Sequence, residues 1–482
     1  MISPTADARE IVAVKPGQGP GAGPAAVDGA DPLGLLDLFG APFVRDPYPW
    51  LDRLREEAPV HHDPATGLWL VSRHEDISRV LLDTDVFLPD NAQNAVTPLP
   101  IAVMRILVRA GFTLPPALAN NGSPSHAGLR RVVARFFDAR RVAAATQVVE
   151  RIADEVLDEM DGTALDEVVG TPLDTMVDEV VGEGLDEAGS SGARCDGRDL
   201  RDLFGSYAQV LPCRVLMELL GIRGVEPATL IKWSDASLEL FWGRPSLDRQ
   251  LELAELVAEF HQWLVATVGS GTAPADSFIG ALAAHRLPDG TLLDVETAVA
   301  ACFFVFIAGQ STTGQLIATV LRRALGEPGI WARAAEEEGT AEAWVEEVLR
   351  REPPVTTWRR VTARATRLGG VELPAGAQVL LMLMGSGSDP EVFPEPERMC
   401  PGRANVRRHL AFGAGRHLCP GASLARMEAA VALRAAARRL PGVRSAEGAA
   451  EPPMLGLLSF RAPLQVVVES VGDAGRCPET GR

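Results

Sequence analysis

Ten residues near the C-terminal end constrain this chain more than any others: Phe412-Gly413-Ala414-Gly415-Arg416-His417-Leu418-Cys419-Pro420-Gly421, with a helical pattern starting directly after them. Glycines at 413, 415 and 421 allow turns and close approaches that a side chain would block. Pro420 has no N–H, so amide donors to the Cys419 sulfur must come from Gly421 onward. The thiolate is the metal-binding form of cysteine, and a helix N-terminus with cationic neighbours favours it. Arg416 and His417 are the expected cations, and the helix beginning near Ala422 supplies the dipole. One thiolate aimed out of a tight loop suits the axial ligand of a haem.

Composition narrows the alternatives. A hydrophobic content of 46% in 482 residues is ample for a core, in one large unit or in two or three average ones. The six cysteines (195, 213, 302, 400, 419 and 477) include no C-x-x-C pair, against zinc ribbons, iron–sulfur clusters and a secreted disulfide framework. The formal charge of −18 argues against nucleic acid as a partner. Met1 to Val14 lacks a signal-peptide pattern, and the longest apolar run, Ala298 to Ala308, is too short to span a bilayer. The expectation is a cytoplasmic chain with no membrane partner.

Along the chain, residues 1–40 read as a disordered leader rich in Gly, Pro and Ala. Residues 41–470 read as one domain and 471–482 as a flexible tail. Asp46-Pro47-Tyr48-Pro49-Trp50 precedes a helix over 51–57, and residues 67–73 alternate as a strand. Residues 87–121 read as a long loop carrying one short helix around 101–108. Within the acidic insertion 161–198, the stretch Asp161 to Glu187 holds nine acids and no base. Helical periodicity runs over 200–269 with a break at Gly243-Arg244-Pro245, and again over 274–284 and 295–325. Short strands are expected at 361–363, 370–373 and 378–384, with a last pair at 455–459 and 464–469.

The 412–421 loop, with Leu424-Ala425-Arg426 behind it, resembles the haem-ligand loop of the cytochrome P450 superfamily in its soluble bacterial form. The resemblance covers roughly residues 42–470. It implies a mainly α fold with a small β-rich region, the cytochrome P450 fold, holding haem b with Cys419 on the iron. It identifies Ala308-Gly309-Gln310-Ser311-Thr312-Thr313 with the distal helix, where Gly309 opens a groove for dioxygen and Thr312 helps deliver protons. Family members usually carry an acid just before that threonine; here the residue is Ser311, and relay through Gln310, water or substrate is the expectation. His126, Arg130, Arg360 and His417 match the partners of the haem propionates. Ala308, Phe412, Gly413, Arg416 and Gly421 complete the expected cofactor contacts. Glu347 and Arg350, at i and i+3, match a buried structural pair bonded to a later arginine, Arg398 or Arg403.

The implied activity is a monooxygenase that oxidises a hydrophobic or aromatic small molecule. It would act as a monomer with a separate ferredoxin and ferredoxin reductase. Leu238, Trp242, Phe304, Val305, Val355, Trp358, Ser459 and Phe460, with the 87–119 loop, form the expected substrate pocket. Forty-four arginines against two lysines, with abundant alanine, fit a high-GC bacterial source and natural-product tailoring. Ser311 keeps open a radical-coupling or peroxide-driven reaction, and a non-enzymatic haem module presenting a carrier-bound substrate is a further alternative. Arginines crowd 401–426 and 129–141, a basic patch suited to an acidic electron donor.

Overall fold

The computed structural model describes residues 36–160, 200–287, 289–446 and 451–470. The acidic insertion at 161–198, the tail at 471–482 and residues 1–35 of the leader lie outside them. The leader boundary moves forward: Leu36 and Leu38 are buried and pack with Leu51, Leu54 and Met382. Two leucines two residues apart, each with an apolar partner, are enough to draw this segment onto the fold.

One helix organises the molecule. Val295–Gly326 begins at Asp294, whose carboxylate accepts the Thr297 N–H at 2.7 Å, with Glu296 adding charge of the right sign in the first turn. It is long and apolar enough to cross a membrane, but most of its residues are buried inside the fold. A helix apolar on every face belongs in a core. Its main helical neighbours among the described residues are Val210–Leu220, Pro227–Trp242, Leu247–Gly269, Thr340–Arg351 and Ala422–Arg439. The backbone closes tightly at Gly314, where a Cβ would lie 2.9 Å from the Ala208 carbonyl at the end of a short π-helix, Phe204–Ala208.

The β structure is small. A five-stranded sheet runs in the order Val60–Asp63, Leu68–Val71, Gln378–Leu381, Trp358–Thr362, Phe87–Leu88. Its one parallel junction pairs Trp69 with Val379, and the antiparallel neighbour pairs Trp358 with Leu381. A three-stranded sheet joins Leu200–Asp202, Val467–Ser470 and Val443–Ser445, and a hairpin joins Thr366–Leu368 to Val371–Leu373.

Several expected boundaries shift for local reasons. The first long helix starts at Tyr48 rather than 51, with Pro49 in its first turn, where a missing N–H costs nothing. The expected strand 378–384 ends at Leu381 and becomes a helical turn, Leu383–Ser386. The expected last pair shrinks to isolated bridges, Met454 with Pro463 and Leu457 with Phe460, before a regular strand at Val467–Ser470. Pro452, Pro453 and Pro463 cannot donate to a ladder.

Candidate active site

A cavity of about 220 Å³ separates the central helix from the 412–421 loop. Cys419, Gly421, Phe412 and Gly413 form one wall, with Leu424 and Ala425 behind them. The loop is held by the Cys419 N–H on the Phe412 carbonyl and the Gly413 N–H on the Leu410 carbonyl, each at 2.9 Å. Gly413 and Gly415 take left-handed φ values of 69° and 65°, which a side chain would strain. Gly421 does not; it caps the helix Ala422–Arg439 at an ordinary φ of −85°.

Burial pushes the Cys419 thiol up, against the Gly421 amide, then Arg130 and Arg426, then the Ala422 amide. The amide donors therefore begin at Gly421, as Pro420 requires. The cations differ from expectation. Arg416 does not line the cavity; it donates to the His126 ring at 3.2 Å and to the Gly122 and Ser123 carbonyls on the surface. His417 is held neutral rather than cationic, as its surroundings show.

His126, Arg130, Arg360 and His417 line the cavity, and among the described residues no acid lines it. Burial takes Arg360 down to about 10. Burial, then the neighbouring His126, Arg360, Arg416 and Arg130, takes His417 to about 3. His126 falls to about 4 through burial, then Arg416 and Arg130. Arg360 Nε and His417 Nε2 are buried without a hydrogen-bond partner. Unbalanced donors in an apolar cleft call for an anionic guest. A flat apolar group with two carboxylates and a metal that takes a thiolate, which haem b is, fits this donor set.

The opposite wall comes from the central helix, through Phe304, Val305, Ala308, Gly309 and Thr312. The Thr312 hydroxyl donates to the Ala308 carbonyl at 2.5 Å, the back-bond of a helical threonine. Gly309 leaves room for Leu216, whose Cδ1 would meet a Cβ there at 3.1 Å. Leu238, Trp242, Val355, Trp358 and Phe460 also line the cavity. Ser459 does not; its hydroxyl shares a hydrogen bond with Thr357 at 3.1 Å. Of the long 87–119 loop, only Leu118 and Ala119 reach the cavity.

Gln310 and Ser311 do not line the cavity either. Ser311 turns toward the helix Pro227–Trp242, its hydroxyl 3.3 Å from Asp235 Oδ1 and 3.0 Å from Gln310 Oε1. Burial pushes Asp235 up to about 7, with Ser311 and Gln209 pulling down and Glu239 adding to the rise. Asp235 escaped the sequence reading; its one signal is that it and Glu239 are acids a helical turn apart in a helix whose residues from 233 to 242 are all buried.

The Glu347–Arg350 pair is fully buried at 2.8 Å. Of the two candidate arginines, Arg403 brings its side chain, 3.2 Å from Glu347, while Arg398 offers only its carbonyl to Arg350. Glu346, also missed, accepts from Arg426 at 2.7 Å and lies 3.1 Å from the His409 ring, tying the cysteine helix to Thr340–Arg351.

Comparison with known proteins follows the same lines. The cytochrome P450 family model matches residues 252–440. The chain is 31% identical to the cytochrome P450 monooxygenase PikC of Streptomyces venezuelae over 413 residues, 84% of this chain and 87% of PikC. It is 30% identical to the erythromycin C-12 hydroxylase of Saccharopolyspora erythraea over 390 residues, 80% of this chain and 84% of that one. Its fold matches cytochrome P450 CREJ in complex with (4-ethylphenyl) dihydrogen phosphate, with a TM-score of 0.76 at 26% identity, covering 89% of this chain and 98% of CREJ. An intact type IV self-sufficient P450 monooxygenase matches with a TM-score of 0.78 at 27% identity, over 93% of this chain and 54% of its own. With a lone cysteine at the mouth of a helix, acid-free cations beside it and relatives matched over most of their length, the chain belongs to the cytochrome P450 family.

Proposed function

We propose that this P450 monooxygenase hydroxylates or otherwise oxidises a hydrophobic or aromatic small molecule in the tailoring of a natural product. Electrons would come from a separate ferredoxin and its reductase. The observation that carries the reading is the cavity itself, with the Cys419 sulfur on one wall and Phe304, Val305, Trp242, Trp358 and Phe460 on the other. The name of the erythromycin C-12 hydroxylase supports the natural-product part of this reading.

Cys419 is the proposed iron ligand, and His126, Arg130, Arg360 and His417 would hold the propionates of haem b. The bound haem supplies dioxygen activation and the oxidising equivalent. The polypeptide does the rest. The Gly421 and Ala422 amides, with Arg130 and Arg426, stabilise negative charge on the Cys419 sulfur. The apolar far wall excludes water and strengthens each polar contact inside. Thr312, freed from its back-bond to Ala308, presents a neutral hydroxyl that can hold a proton at the cavity. Phe304, Trp242 and Phe460 offer flat apolar surface for orienting substrate.

The coupling or peroxide-driven alternative rested on Ser311 replacing an acid. Asp235 lies beside that residue, off the cavity wall, so a carboxyl is present in the neighbourhood and the monooxygenase reading is the one favoured.

The test is the carbon monoxide difference spectrum of the dithionite-reduced protein. A strongly red-shifted Soret band is expected, and Cys419→Ala should abolish it. A band typical of histidine or thiol ligation in the wild type would refute the assignment of Cys419.

A further inference from the structure

A chain of contacts leads from the helix Thr340–Arg351 to the Cys419 loop. Arg426 gives Glu346 two parallel bonds, Nε to Oε2 at 2.7 Å and Nη2 to Oε1 at 2.9 Å. That grip places the guanidinium carbon 4.5 Å from the centre of the Phe412 ring. Phe412 in turn lines the cavity, and its carbonyl accepts the Cys419 N–H at 2.9 Å. His409 fixes the same carboxylate. The Ala411 amide donates to His409 Nδ1 at 3.2 Å, so that nitrogen carries no proton. The proton sits on Nε2, which donates to Glu346 Oε1 at 3.1 Å. His409 therefore adds no charge, and Glu346 with Arg426 makes a neutral but oriented pair. Its positive end touches the ligand loop, while its negative end belongs to the buried face of another helix. Clamping two helices together requires neither the aromatic face nor the histidine.

We infer that Glu346 is a positioning residue for the proposed iron ligand: it aims the Arg426 charge across the Phe412 ring toward Cys419, and so sets how readily the bound haem takes an electron. The inference rests on the thiolate-haem reading above. Its physical basis is electrostatic. A cation near the sulfur draws negative charge away from the metal, and a weaker donor leaves the metal a better electron acceptor. The exchange is a single electron, lost by reduced ferredoxin and gained by the haem iron, with the sulfur bound throughout. Burial raises the Cys419 thiol, and Arg426 is one of the groups that pull against it. Arg130 also acts on this sulfur, but it comes from the helix His126–Phe136 and donates to the Leu418 carbonyl. Glu346 can therefore be varied without touching it.

The experiment is a spectroelectrochemical titration of the haem-loaded protein, with the C–O stretch of its carbon monoxide complex as a second readout. The double variant Glu346→Gln, Arg426→Gln removes both charges and leaves the net charge unchanged. Neutral replacement of a whole buried pair is often tolerated. Its reduction equilibrium should move severalfold toward the oxidised form, and its C–O stretch should fall, because the nearer cation is lost with the farther anion. Glu346→Asp keeps every charge but shortens the arm by one methylene, which draws the guanidinium off the ring. It should shift both readouts in the same direction by less. Arg426→Lys keeps the charge without the planar grip and should fall between wild type and Arg426→Gln. Lower stability in the double variant and Glu346→Asp, with potential and C–O stretch unchanged, would reduce the network to a clamp and overturn the inference. A wild type with the thiolate carbon monoxide band but potentials equal to those of the variants overturns this inference alone. A wild type without that band overturns it together with the function proposed above.

Discussion

Ser311 is where residue-level logic bends most. Its position invites an acid, yet Asp235 Oδ1 already lies 3.3 Å from its hydroxyl. Ser311→Asp would set two carboxyls together in a buried site, and like charges there force one to stay protonated. The expected outcome is a loss of about 1–3 kcal/mol at pH 8, the range for a buried polar mismatch, read as a lower thermal midpoint of the holoprotein. Ser311→Asn, uncharged, should lose less. The Cys419 loop offers a similar lesson. That the cysteine would receive amides from Gly421 onward was legible, because proline has no N–H. Which cations would face it was not. Arg130 arrives from 289 positions earlier in the chain, a proximity that no local pattern encodes.

At the scale of elements, the helix Thr340–Arg351 acts as a clamp. Its Glu347 holds Arg350 and Arg403, and its Glu346 holds Arg426 and His409. Glu347→Gln should therefore destabilise the holoprotein by roughly 3–5 kcal/mol, the cost of stripping one partner from a buried pair. Chemical denaturation followed by tryptophan fluorescence would measure it. The next segment packs against the same helix end: a Cβ on Gly387 would lie 1.8 Å from the Arg350 carbonyl, while the Gly387 carbonyl accepts from Arg350 at 2.5 Å. Gly387→Ala should cost about 1–3 kcal/mol through overpacking, again seen as an earlier denaturation midpoint. The i, i+3 spacing announced the Glu347–Arg350 pair, whereas the Gly387 contact depends on how a strand exit meets a helix end. The prolines at 452, 453 and 463 flank the expected last strand pair and cannot donate to a ladder.

Across the whole molecule, two buried carboxyls shape stability against pH with opposite signs. Glu346 is held at about 2, since His409 and Arg426 outweigh the burial that would raise it; its contribution is present above the ordinary glutamate range and is lost as pH falls through about 2. Asp235 is raised to about 7, so its contribution is present below the ordinary aspartate range and is lost as pH rises toward 7. Thermal midpoints measured between pH 4 and 8 should fall less steeply for Asp235→Asn than for the wild type. A second property belongs to the surface. Arg131, Arg135, Arg140, Arg407 and Arg408 are exposed, while Arg403 and Arg426 are committed to Glu347 and Glu346, so the basic patch is smaller than the sequence count implied. Replacing Arg131 and Arg135 by Glu should raise the ferredoxin concentration for half-maximal reduction severalfold at low salt. The difference should shrink at high salt, as screening predicts. The amino-acid sequence by itself determined the helical core and the cysteine loop, because these rest on periodicity and backbone freedom, while the distal turn and the burial of the Glu347–Arg350 pair were legible through the resemblance to a family. Only the tertiary structure decided that Leu36 and Leu38 belong to the core, that Ser459 and Arg416 stay out of the cavity, and that Asp235 stands behind Ser311. Those outcomes depend on which helix faces which, and that is settled by packing over distances no local pattern spans.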